Sequence, residues 1–216
     1  MKIEIWSDVV CPFCYIGKRK FEKALEQFQF KDQIEVQWRS FQLDPNADDN
    51  IKADIYDYLA RKKGQSREWS VQMHQNVVQM AAEVGLQYNF DIAQMSNSFK
   101  AHQLIQLAKL EGKDSELEEL LFKAYFTQGK NISNVETLLD LVKKAGIQNT
   151  NAEAVFRSVQ FSEQIQNDIK EGEKLGLTGV PFFVFNRKYG VSGAQDPKVF
   201  LNTLQKAYEN FLTEHK

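Results

Sequence analysis

The sequence predicts an α/β domain split by an all-α insertion, and three observations predict it. The first forty-odd residues read strand, helix, strand; residues from about 51 to 160 read as helix almost throughout; the remainder reads helix, strand, strand, helix. Mixed segments at both ends of a helical block are what one α/β sheet interrupted by an inserted bundle produces. The expected division is residues 1–45 and 162–216 for the α/β domain and 46–161 for the insertion. At 216 residues the chain can bury a substantial core.

The elements follow from periodicity. Ile3 and Ile5 alternate with Lys2 and Glu4, the period of a strand. From Pro12 to about Phe28 a helical pattern runs through Ile16, Phe21, Leu25 and Phe28; Pro12 suits the first turn, where its missing N–H would have no partner. Ile34 to Trp38 alternates again, with an extension to Leu43 expected, and Asp44 to Asn50 is a turn-rich break. In the helical block, Met73, Val77, Met80, Ala81 and Val84 form one apolar stripe, and Phe99, Ala101, Leu104, Ile105 and Ala108 a second. Leu117, Leu120, Leu121, Ala124 and Tyr125 form a third, and Val135, Leu138, Leu139 and Val142 a fourth; such stripes are the core of a helical bundle. Capping boxes are expected at Ser115 with Glu118, Ser133 with Glu136, and Thr150 with Glu153. A helix from about Ser162 to Leu175 then leads through Gly179-Val180-Pro181 into Phe182 to Phe185, a buried-strand signal. A hairpin return over residues 187–192 and a final helix begun by Asp196-Pro197 complete the chain.

Composition narrows the function classes. A formal net charge of −2 gives no reason to expect nucleic acid or an anionic membrane as a partner. No apolar run approaches the ~18 residues of a membrane span. Met1 to Trp6 alternates apolar and charged side chains where a secretory signal carries its apolar stretch, so a cytoplasmic location is expected.

That location bears on the two cysteines, Cys11 and Cys14, which leave no others for a disulfide framework. In a reducing compartment a close pair is catalytic or metal-binding rather than structural. Thiol–disulfide exchange needs one thiolate to attack and a second thiol near enough to resolve the mixed disulfide. A C-x-x-C at a helix start meets both needs. The unpaired first-turn N–H groups and the macrodipole favour negative charge on Cys11 by up to ~2 kcal/mol, and Cys14 follows one turn on. Phe13 stands where a histidine would add positive potential, so a reduction potential of about −180 to −270 mV is expected, not the value of a strong oxidant. Zinc sites share the C-x-x-C spacing. A structural zinc site wants four ligands, however, and the chain adds only His74, His102, His215 and scattered carboxylates with no second close-spaced pair, so no metal is expected.

Ser7-Asp8-Val9-Val10-Cys11-Pro12-Phe13-Cys14-Tyr15-Ile16-Gly17 resembles the active-site segment of DsbA-like thioredoxin-fold proteins, in particular their cytosolic FrnE-like branch. Residues 97–102, 124–132, 179–183 and 191–195 resemble that branch in the same order along nearly the whole chain. The resemblance implies a thioredoxin-like fold interrupted by a helical insertion domain. It also implies a redox-active Cys11–Cys14 disulfide with no bound cofactor, and Pro181 as a cis-proline facing the cysteines. On the residues alone, a trans proline opening a strand would be preferred, because only ~5–6% of X–Pro bonds are cis. With the position granted, Val180 offers its backbone to a substrate strand, and Pro12 and Phe13 flank the thiols. His102 lies beside its helix's apolar stripe as a packed side chain, or reaches substrate as the resemblance allows. Ser7 and Asp8 read as turn residues and stay outside the site set.

Three functions compete. A thiol–disulfide oxidoreductase or isomerase would act on protein or small-molecule disulfides or thiols. Relatives that share the inserted helices, the 2-hydroxychromene-2-carboxylate isomerases and kappa-type glutathione transferases, suggest a glutathione-dependent enzyme; those use a serine or a single thiol-site residue at the first position, a pattern from which Cys11 with Cys14 departs. Glutathione stays open as a co-substrate. The third reading is a redox-sensing or partner-binding module. Oligomeric state is not legible.

Overall fold

The computed structural model describes residues 1–48, 54–148 and 152–214, so Asn50, Thr150 and His215 lie outside the described residues. The chain forms two compact units, one of Met1–Leu43 with Glu163–Lys216 and one of Asp44–Ser162. The first is a thioredoxin-like α/β unit. It opens with β1 (Lys2–Ser7), α1 (Pro12–Glu26) and β2 (Glu35–Ser40).

The helical unit follows with α2 (Ile55–Lys63), α3 (Arg67–Ala82), α4 (Phe99–Lys109), α5 (Asp114–Phe126), α6 (Val135–Lys144) and α7 (Ala152–Val155). The boundary between the units falls inside α8 (Val159–Lys174), after which β3 (Phe182–Phe185), β4 (Tyr189–Ser192) and α9 (Pro197–Glu214) complete the α/β unit. Among the described residues no helix is long and apolar enough to cross a membrane.

The sheet order is β2-β1-β3-β4, with β1 parallel to β2 and antiparallel to β3, and β3 antiparallel to β4. Register explains its two faces. Ile5 lies between Trp38 and Phe183, and Ile3 between Val36 and Phe185. This face packs on Phe21 and Ala24 of α1 and on Phe200, Leu204 and Tyr208 of α9 to form the main core. Successive side chains of a strand point to opposite faces, so Glu4 and Trp6 fall on the other side. There Trp6 packs with Phe182, Val184 and Leu177. Its indole N–H donates to the carbonyl of Asp168 at 2.6 Å, and a Cβ on Gly172 of α8 would stand only 2.7 Å from that nitrogen.

Glu4 is 1% exposed on this second face, and its charge is matched. Arg39 donates to it through Nε at 2.9 Å, Arg187 through Nε at 2.7 Å, and Arg39 also reaches Asp168 at 2.8 Å. Asp168 further accepts the backbone N–H of Ser40 at 2.9 Å, which ties α8 to the end of β2. Arg187 occupies the turn between β3 and β4, where it and Asn186 both have positive φ. A left-handed conformation costs an L residue roughly 1–2 kcal/mol, and the ion pairs from Arg187 to Glu4 and Glu171 offset that cost.

Three expectations need correction. β2 ends at Ser40 rather than running to Leu43, because its ladder partner β1 ends at Ser7; Phe41 N–H makes the last ladder bond, to the Ser7 carbonyl, and Leu43 N–H goes to the Asp8 carboxylate. The expected cap at Ser133 is displaced by one residue: Asn134 caps α6 by accepting from Thr137 N–H at 2.9 Å, while Ser133 donates its hydroxyl to the Asn97 carbonyl. Ser115 lies inside α5, which starts one residue earlier and has no side-chain cap.

Glu4 is the buried carboxylate on which Arg39 and Arg187 converge, and removing it takes that partner from the largely buried Arg39, which keeps Asp168, and from the half-exposed Arg187, which keeps Glu171. Glu4→Ala is therefore expected to destabilise the protein by about 3 kcal/mol, read as a lowered midpoint in urea.

Candidate functional site

The site is built by the passage from β1 into α1. β1 stops at Ser7, and the chain turns through Asp8, Val9 and Val10 so that Cys11 becomes the N-cap residue of α1 with Pro12 in the first turn. Cys11 makes no side-chain cap bond, and as the N-cap residue it stands at the mouth of α1, the end where the first-turn N–H groups have no partner within the helix. Both cysteines are free thiols and both are buried.

Asp8 holds this turn through main chain and side chain together. Its carbonyl accepts the Cys11 N–H at 2.9 Å, and its own N–H is hydrogen-bonded to the Cys14 sulfur. Its carboxylate, fully buried, accepts from Leu43 N–H at 2.7 Å and from Val10 N–H at 3.4 Å. The Cys14 sulfur also meets the Cys11 thiol and the Ser7 side chain. Burial pushes the Cys14 thiol well above its ordinary range, helped by the hydrogen bond and charge interaction with Cys11; the Asp8 and Ser7 bonds oppose this without reversing it. Cys14 is therefore a neutral thiol around neutral pH.

Across from the pair, the Val180–Pro181 peptide is cis, and the Val180 carbonyl accepts from the Cys11 thiol at 3.7 Å. Pro181 is buried, and its carbonyl accepts the Gly193 N–H at 2.8 Å. Pro12, Phe13 and Val180 are half-buried around the thiols. The structure thus brings together Cys11, Cys14, Pro12, Phe13, Val180 and Pro181 of the sequence-derived set. His102 belongs to the helical unit, where it is 1% exposed on α4; that burial favours the packed reading over substrate contact. Ser7 and Asp8 are the residues that sequence reasoning left out. The available signal was a Ser-Asp pair placed where a strand ends just ahead of C-x-x-C.

Two predictions follow from this geometry. Asp8→Ala takes the charged acceptor from two part-buried hydrogen bonds, those of Leu43 N–H and Val10 N–H, so a loss of about 2 kcal/mol is expected in urea denaturation. A thiol whose folded pKa is raised contributes stability that is complete below the unfolded value of ~8.5 and fades as pH rises past it. Reduced protein should accordingly be less stable at about pH 10 than at about pH 8, by a larger margin than Cys14→Ala.

Comparison with known proteins agrees with the fold. A probable DsbA oxidoreductase of Streptomyces coelicolor is 36% identical, with a TM-score of 0.89 over 97% of this chain and 90% of that one. YwbO of Bacillus subtilis is 26% identical over 92% of each chain. The cytosolic disulfide reductase DsbM of Pseudomonas aeruginosa shares the fold at 15% identity and a TM-score of 0.67, over 99% of this chain and 98% of that one. The family model of the DsbA-like thioredoxin domain matches residues 2–205, nearly the whole chain, and the protein belongs to that family.

Proposed function

We propose that this protein is a dithiol–disulfide oxidoreductase in which Cys11 attacks and Cys14 resolves. The observation that carries the reading is the asymmetry of a buried pair: Cys11 is the N-cap residue of α1, with its thiol against the Val180 carbonyl, and Cys14 lies in the first turn of the helix in contact with Cys11, held as a neutral thiol.

In the first step the Cys11 thiolate attacks one sulfur of a substrate disulfide. The substrate S–S bond breaks, and the departing thiolate takes up a proton. Cys14 then gives up its proton and attacks the Cys11 sulfur, releasing the second substrate thiol and leaving a Cys11–Cys14 disulfide. The substrate disulfide has gained two electrons and the protein dithiol has lost them. Two molecules of a thiol such as glutathione, or one dithiol reductant, return the protein to its starting state.

Val180 and Pro181 supply the docking edge. A substrate chain in extended conformation pairs with the Val180 backbone, as a strand added to an exposed edge does, while Pro181 brings no N–H to compete. Pro12 and Phe13 give that chain an apolar flank. Substrates are protein or small-molecule disulfides. A reducing compartment would return the pair to the dithiol, and the direction we propose there is reduction of the substrate.

Insulin reduction with a dithiol reductant tests this. Wild type should accelerate it, Cys11→Ala should fall to the uncatalysed rate, and Cys14→Ser should accumulate a mixed disulfide through Cys11. A glutathione redox titration should place the couple between about −180 and −270 mV. Full activity in Cys11→Ala would favour a binding module, and full turnover in Cys14→Ser a glutathione-dependent isomerase.

A further inference from the structure

Gly17 lies in the interior of α1, buried, one turn beyond Cys14. A glycine in a helix interior is less favourable than alanine, so its presence calls for a packing reason. The reason is its neighbour. A Cβ at Gly17 would stand 3.0 Å from Cγ of Pro181, 3.4 Å from Cζ of Phe183 and 3.6 Å from the Cα of Ala194. These contacts are with a proline ring, a core aromatic ring and backbone, none of them the free end of a flexible side chain.

Pro181 has little room to retreat. Its carbonyl is fixed by Gly193 N–H at 2.8 Å, and the adjoining Ala194 carbonyl accepts from Lys20 of α1 at 3.1 Å. The residue before it carries the carbonyl that meets the Cys11 sulfur at 3.7 Å. The helix that bears both cysteines therefore presses directly on the loop that faces them, and the missing side chain of Gly17 sets how closely they approach.

We infer that Gly17 is a positioning residue, and that the bare backbone it leaves on α1 holds the Val180–Pro181 edge at the distance from Cys11 that a docked disulfide strand requires. The inference rests on the oxidoreductase reading above. Its consequence is specific to substrates with a chain to dock. A small aromatic disulfide such as 5,5′-dithiobis(2-nitrobenzoate) needs only the sulfur, whereas a disulfide peptide also needs the Val180 edge.

The test compares wild type, Gly17→Ala, Pro181→Ala and the double variant, each as the full chain. Gly17→Ala should raise KM for a disulfide peptide about fivefold, the equivalent of roughly one net hydrogen bond, with kcat changed less. Its reaction with the small aromatic disulfide should stay within about twofold of wild type, a difference below ~0.5 kcal/mol. In the Pro181→Ala background, where the Cγ is gone, adding Gly17→Ala should change KM by less than about twofold, the signature of a shared contact.

An unchanged peptide KM in Gly17→Ala, or the same factor in both backgrounds, would overturn the inference while leaving the oxidoreductase reading intact. Absence of Cys11-dependent activity in wild type would overturn both. Should Gly17→Ala fail to fold, restoration of folding by Pro181→Ala supports the contact, and failure to restore it contradicts it.

Discussion

The hydrogen-bonded turn at Asp8 is the constraint on which the candidate site depends. Its carbonyl holds the Cys11 N–H, its N–H holds the Cys14 sulfur, and its buried carboxylate ties the turn to the backbone beyond β2. One residue thus fixes the start of α1 and the position of both thiols relative to it. A carboxylate without these donors would be expensive to bury, and the donors without the carboxylate would lose a charge-assisted bond each. The geometry is held because each group satisfies another that has nowhere else to turn.

The sheet supplies the platform under that turn. Its first face is an aromatic and aliphatic core in which Phe21, Phe183 and Phe200 meet at centroid separations of 4.6–5.9 Å. Its second face carries charge: Glu4 on the central strand β1 is neutralised by Arg39 from β2 and Arg187 from the β3–β4 turn. The end of β1 that feeds the cysteine turn is thereby gripped from both faces. The β3 side brings in Pro181, whose approach to α1 is limited by Gly17. Thiols, the Val180–Pro181 segment and α1 are consequently parts of one packed arrangement, in which a methyl group added at Gly17 would meet the Pro181 ring.

Much of this was legible beforehand, for identifiable reasons. Alternation at Ile3 and Ile5, the Phe182–Phe185 run and the helical stripes report burial, and burial dictates element type. Pro12 marked the start of α1 because it has no N–H to lose. What the sequence concealed depended on side chains competing for the same backbone groups. Ser133 has the form of a capping residue, but its own N–H is taken by Asn131 and the adjacent Asn134 caps the helix instead. The extension of β2 to Leu43 failed because its partner β1 ends at Ser7, and Asp8, distant in sequence, claims Leu43 N–H. The cis form of Val180–Pro181 came from family resemblance, since local residues alone favour trans. The importance of Asp8 was hidden because a turn aspartate serving its own loop and one serving two cysteines look alike until the chain is folded.

Two sulfurs made unequal by their surroundings underlie the proposed chemistry, and site-resolved alkylation measures that inequality directly. Reduced protein would be treated with iodoacetamide between about pH 5 and pH 9, a range spanning the ordinary thiol transition, and each cysteine assigned by mass spectrometry. The account predicts that Cys11 is labelled while Cys14 stays unmodified for as long as the protein is folded, and that Asp8→Ala narrows the difference. Labelling of Cys14 at the same rate as Cys11 in the folded protein would contradict it.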